Sequence, residues 1–189
     1  LFQTDYIHPL GKEGKFEVGS KVSLRKLTND YQLEDSLAGL WNVNSLFNNY
    51  MIYTENIYAA YAMAGNKTKK FSYQGGIRAE FSDITTNLVE TDQVDNRQYF
   101  RWFPSFHLSY ELKKENYIQF SYSRRIGRPR SWWLTPFYTF KDSRNYESGN
   151  PNINPEFAGS YELGHLKYWK RGSVLTSLYY RRTVDVMDR

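Results

Sequence analysis

The chain is expected to be all-β, an antiparallel up-and-down meander of about eight strands. Three observations carry that expectation. Apolar and polar residues alternate with a period of two over several stretches, which a strand sorts onto two faces and a helix does not. Of 189 residues, 17 are Tyr and 12 Phe, and aromatics make up 18%, a content that with frequent Val, Ile and Thr favours strand. The connections are also sorted, short and long ones alternating along the chain.

The elements follow in order. Strand 1 (2–9) lies in "LFQTDYIHPLG", which reads as the inside of a strand and, without an initiator Met, as part of something longer. Strand 2 (14–26) sets Phe16, Val18, Val22 and Leu24 against Glu17, Lys21, Ser23 and Arg25. Strand 3 (50–65) runs to the turn "GNKTKK". Strand 4 (69–82) sets Phe71, Tyr73, Gly75, Ile77, Ala79 and Phe81 against Ser72, Gln74, Gly76, Arg78 and Glu80. Strand 5 (100–113) sets Phe106, Leu108, Tyr110 and Leu112 against His107, Ser109 and Glu111. Strand 6 (116–127) sets Ile118, Phe120, Tyr122 and Ile126 against Gln119, Ser121, Ser123 and Arg125, with Arg124 on the apolar side. Strands 7 (157–169) and 8 (173–186) flank the turn "WKRG" and alternate less regularly.

Strands 1–2, 3–4, 5–6 and 7–8 are joined by short polar turns, whereas 27–49, 83–99 and 128–156 are long. In an up-and-down sheet alternate connections share an end, so one end carries tight turns and the other all the long loops. Transmembrane barrels have that asymmetry. Charge is sorted too. The turns carry Lys12, Lys15, Lys67, Lys69, Lys70, Lys113, Lys114, Lys170 and Arg171 against Glu13 and Glu115, while Asp30, Glu34, Asp35, Asp83, Glu90, Asp92 and Asp95 outweigh Arg97 in the first two long loops. Basic turns suit anionic headgroups at an inner leaflet, or are simply solvated. The strands reach the roughly 9–11 residues that a tilted crossing needs.

Other classes are excluded. Without cysteine there is no disulfide scaffold, thiolate metal site or cysteine nucleophile. His8, His107 and His165 match no metal-ligand spacing, and no hydrolase, metalloprotease, P-loop or dinucleotide fingerprint occurs. No metal, cofactor or enzymatic activity is expected. A formal net charge of +5 on 22.5 kDa is mild. In "SYSRRIGRPRSWW", Arg124 and Arg125 face opposite sides and Arg128 and Arg130 lie past the strand, so the arginines form no stripe for nucleic acid. A mean hydropathy of −0.71 suits a membrane barrel, where half of each strand and all loops are polar.

From residue 100 on, "FPSFHLSY", "YSRRIGRP", "LTPF", "KDSRNYESGNPNINPE" and "YELGHLKYWKRGSVLTSLYYRRT" resemble the barrel of TonB-dependent outer-membrane receptors, in the branch of outer membrane β-barrel family proteins. "TENIYAAYAMAGNKTKKFSYQGGIRAEFS" and "DYIHPLGKEGKFEVGSKVS" resemble its earlier hairpins, in the family's order and spacing. Two positions depart from the family: Thr135 stands where Asn is usual, and Arg130 where Ser is common. The resemblance implies a 22-stranded type of barrel around a plug domain, in the outer membrane of a Gram-negative cell. This chain would be a slice of about eight strands, without the plug, the TonB box or the closing strand. It also implies the partners: outer-membrane lipid, the plug, the TonB complex through the plug, and a surface lipoprotein.

The polar faces then supply the lumen candidates for contact with a solute or the plug: Glu17, Lys21, Arg25, Gln74, Arg78, Glu80, His107, Glu111, Gln119 and Arg125. The blander role is that mixed charges keep a lumen wet and pack against the plug. Glu80 and Glu111 are expected to pair with Arg78 and Arg125 rather than to catalyse. The external-loop candidates are Arg128, Arg130, Trp132, Trp133, Asn150 and Asn152, with the two tryptophans anchoring the loop at the rim. Arg124 would point outward at headgroup level. A soluble eight-stranded barrel or sandwich binding a small ligand is the alternative that alternation alone leaves open.

Overall fold

The computed structural model describes residues 1–187 apart from 38, 45, 46, 141, 143 and 152. Among them the strands are, in chain order, β1 (Phe2–Leu10), β2 (Gly14–Tyr31), β3 (Glu34–Leu37), β4 (Leu40–Val43), β5 (Asn49–Lys67), β6 (Phe71–Leu88), β7 (Gln93–Lys113), β8 (Asn116–Gly127), β9 (Thr139–Phe140), β10 (Tyr146–Glu147), β11 (Glu156–Trp169) and β12 (Gly172–Val184). Eight form one antiparallel sheet in the order β1-β2-β5-β6-β7-β8-β11-β12. Each expected strand is present and pairs with its neighbours in sequence. The pairs β3–β4 and β9–β10 are small hairpins inside two of the long connections.

The remaining expected long loop, 83–99, is a correction. β6 runs on to Leu88, β7 starts at Gln93, and a 3₁₀ turn (Val89–Thr91) with left-handed Asp92 closes the hairpin. Asp83 pairs with Gln98 and Thr85 with Asn96. One face of this stretch is polar (Asp83, Thr85, Asn87) and on the other Thr86 separates Ile84 from Leu88, so the apolar alternation of the preceding strand fades here. Side chains add to its ladder bonds: the Asn96 amide donates to Asp83 (3.1 Å) and to the Thr85 hydroxyl (2.8 Å). β2 and β5 likewise extend past their expected ends, pairing out to Tyr31–Asn49.

Register fixes which side chains share a face. One row crosses seven strands as Phe16, Ala64, Gly75, Phe106, Tyr122, Tyr161 and Tyr180. Another runs Val22, Tyr58, Phe81, Phe100. Most members of these rows are large apolar side chains exposed on the same side. A contiguous apolar surface of this extent is unusual on a protein facing water.

The opposite face is polar near the turns and carries the core near the long loops. There Met51, Tyr53 and Leu88 pack with Leu134 and Phe137 from the β8–β11 connection, flanked by Leu27, Tyr31, Ile84 and Ile153. Two edges remain, since β1 and β12 each have a single neighbour. One seam is incomplete: β7 pairs with β6 along its whole length, but its ladder with β8 ends at Ser105–Ser123. The next residue along β7 is Pro104, which has no N–H to donate.

Candidate functional site

All ten lumen candidates lie on the face opposite the exposed aromatics, because alternation and register carry one parity from strand to strand. Row by row, Glu17 aligns with Met63 and Gly76, Lys21 with Ala59 and Glu80, Gln74 with His107 and Ser121, and Arg125 with Ala158. Arg78, Glu111 and Gln119 share that parity.

The structure brings few of them together. Glu17 meets Lys15 at 3.8 Å, and exposed Arg25 meets Glu55 at 3.9 Å. The exposed Gln74 amide donates to Met63 Sδ at 2.6 Å. Lys21, His107 and Gln119 line the face in separate rows, and Glu111 accepts from the Glu115 N–H at 3.3 Å.

Glu80 is different, being 7% exposed. Its Oε1 accepts from Arg78 Nε at 2.6 Å and its Oε2 from an Arg128 Nη2 at 2.5 Å. The same Arg128 nitrogen reaches the hydroxyl of fully buried Ser82 at 3.3 Å. The expected pairing is therefore corrected in one partner: Glu80 takes Arg128, not Arg125, which stays exposed beside Ala158. Arg125 is held in register on β8, whereas Arg128 follows the strand end at Gly127 and is free to turn inward. A buried carboxylate between two guanidiniums is satisfied on both oxygens, the condition under which a buried charge is tolerated.

The β8–β11 connection follows Arg128 onto the polar face. Arg97 donates to the backbone carbonyls of Ile153 (2.9 Å) and Pro151. The Tyr31 hydroxyl accepts from the Phe140 N–H at 3.0 Å. Leu134 and Phe137 fill the apolar hollow between them. The segment clamps itself as well: the Gly149 N–H donates to Thr135 and the Asn150 N–H to Trp133, each at 2.7 Å. A Cβ on Gly149 would fall 2.7 Å from the Thr135 carbonyl oxygen, so only glycine fits.

The loop candidates are thus redistributed. Arg128 is a wall contact. Arg130 is exposed, and Trp132, 55% exposed, stacks edge-on with Trp133 at 5.4 Å. The rim anchors are Leu134 and Phe137 instead, since the 3₁₀ turn Ser131–Leu134 aims its last residue inward. Asn150 contributes its backbone, and Asn152 lies outside the described residues. Further out, the Asn145 side chain and the backbone N–H groups of Arg144 and Asn145 hold the exposed Asp142 carboxyl below its ordinary pKa.

Sequence reasoning missed Tyr53, Glu55, Asp95, Arg97 and Tyr99, which line the cleft under the loop with Arg128, and Ser82, which Arg128 reaches beside it. Extending the parity of strand 4 through Ser82, Ile84, Thr86 and Leu88 reaches the β6 part of that surface. The geometry is a wall with one polar and one apolar face, whose polar face is closed at the loop end by a pinned segment. It offers ion pairing, hydrogen bonding and steric closure.

Across residues 1–189 the chain matches the model of the outer membrane protein beta-barrel family. No curated protein matches it.

Proposed function

The chain belongs to the outer membrane protein beta-barrel family, and from that premise we propose that it forms part of the wall of a TonB-dependent receptor that takes up a scarce solute through a plugged lumen. The outer membrane is the setting, and the apolar row through Phe106 faces lipid. In this reading the basic turns face the periplasm and the long connections face outside. The lumen-facing residues wet the channel and contact plug or solute, and the chain serves transport rather than catalysis.

The observation that carries the reading is the inward-folded β8–β11 connection, pinned by Arg128 on Glu80 and by Arg97 on Pro151 and Ile153. A mouth narrowed by a segment with its own hydrophobic core suits capture and gated passage better than free diffusion. The energy complex would act on the plug, and this wall would stay fixed while the plug moves. A soluble all-β domain would instead leave the whole aromatic face in water.

Uptake by cells with and without TonB tests the proposal. Full-length protein should show heat-modifiable mobility in gels, no steady open-pore conductance in planar bilayers, and uptake that stops when TonB is deleted. A stable ohmic conductance, or uptake indifferent to TonB, would overturn it.

A further inference from the structure

The lipid-facing side holds a pair of arginines that the transport reading does not use. Arg124 on β8, Gly159 on β11 and Arg182 on β12 sit side by side in register. By parity both arginines share the face of Tyr122, Tyr161 and Tyr180, which lie in the adjacent row toward the turn end. These tyrosine rings pack in sequence, with centroids 4.7 Å and 6.0 Å apart. The row on the other side holds buried Phe157, whose ring lies 5.3 Å from the Arg124 guanidinium. Among the described residues neither Arg124 nor Arg182 forms an ion pair. The result is an open depression on the outer surface, floored by rings and flanked by two cations.

Two guanidiniums facing lipid without a carboxylate call for an anion from the membrane. Spacing suits a single group. Arg124 and Arg182 are two strands apart, roughly 10 Å at the backbone at about 4.8 Å per strand, and Gly159 between them adds no side chain. Height suits a headgroup. Gly159 lies about ten residues along β11 from the turn at Trp169, which is roughly 33 Å of strand at about 3.3 Å per residue. At a tilt of about 45° that is roughly 23 Å above the turn, close to the top of an apolar band about 25 Å tall.

We propose that Arg124 and Arg182, across Gly159, bind the phosphate of an anionic lipid headgroup in the outer leaflet, with an acyl chain lying on Tyr122, Tyr161 and Tyr180. The site rests on the orientation proposed above, turns inward and loops outward. It is separate from the lumen and needs neither plug nor solute. Bidentate guanidinium contacts to phosphate supply the specificity, and the rings supply the apolar contact.

Native mass spectrometry of the full-length protein in detergent, titrated with lipid A, tests this. Lipid A should remain bound, and the same lipid stripped of phosphate should bind at least about tenfold more weakly. Arg124→Gln combined with Arg182→Gln should abolish that preference while heat-modifiable mobility is kept. Equal retention of the two lipids by the unaltered protein overturns the proposal without any variant. So does unchanged lipid A binding by the double variant. Arginine-dependent binding of phosphatidylglycerol in place of lipid A would overturn the outer-leaflet assignment while leaving the barrel intact. Loss of heat-modifiable mobility in the unaltered protein would strike the barrel reading itself.

Discussion

The turn half and the loop half of β5 and β6 make the most instructive comparison, because the same strands and the same alternation run through both. From Asn66 back to Ala60, β5 has no buried residue, whereas Met51, Tyr53, Glu55 and Ala59 are buried at alternate positions. β6 behaves alike: none of residues 71–79 is buried, and Glu80, Ser82, Thr86 and Leu88 all are. Alternation decides which way a side chain points. What lies opposite decides whether it is buried, and in the loop half that is the β8–β11 connection.

Substitutions should therefore weigh differently in the two halves. The largest effect is expected from Glu80→Ala, which leaves Arg78 and Arg128 without their shared carboxylate. Breaking a buried ion pair costs about 3–5 kcal/mol, so residues 128–155 of the full-length protein should lose amide-exchange protection while the strands keep theirs. Glu17→Ala in the turn half removes only a half-exposed contact and should cost under about 1 kcal/mol. Equal effects of the two would erase the comparison.

Leu134→Ala comes next. Truncating a buried leucine costs about 2–4 kcal/mol, expected as faster tryptic cleavage within the β8–β11 connection, with the sheet ladder unchanged. Gly149→Ala should follow, at about 1–3 kcal/mol for a forced clash, read by the same cleavage assay. A cleavage rate equal to that of the unaltered protein would mean that the clamp does not hold the segment down.

The smallest effect is a pH dependence in the β9–β10 hairpin. Hydrogen bonds from Asn145 and from the Arg144 N–H depress the Asp142 pKa. A depressed carboxylate stabilises the turn above its ordinary pKa of about 3.9, and that contribution fades as pH falls through the lower, folded value. Amide exchange at Arg144 and Asn145, corrected for intrinsic rates, should be flat from neutrality down to about pH 4 and rise only below it. Asp142→Asn should remove the dependence.

Much of the fold was legible because half-buried strands must alternate. Phe71 to Phe81 gave β6 its faces, and the shared face of Arg78 and Glu80 followed. The 83–99 segment reads as a loop because its inward face offers only Ile84 and Leu88 among polar residues, too few apolar positions to reveal a period. In the sequence Arg128 reads as a loop residue, because nothing local to it points to Glu80, 48 positions earlier in sequence but two strands away in the sheet. Leu134 and Phe137 sit in an aperiodic stretch beside two larger tryptophans, and size suggested the wrong anchors. Burial there depends on which way a short 3₁₀ turn rotates, which composition does not encode.

The seam between β7 and β8 sets a waterline. Beyond Ser105–Ser123 the facing edges of the two strands have no ladder bonds to each other, and an unpaired backbone group in hydrocarbon costs several kcal/mol. The oily layer must therefore stop at or below that pair at this point of the wall. Three and five residues further along β7, Trp102 and Phe100 pack edge to face at 5.0 Å, as interfacial rings do. A thicker membrane would drown the seam, so this stretch of wall is matched to the depth of the bilayer that holds it.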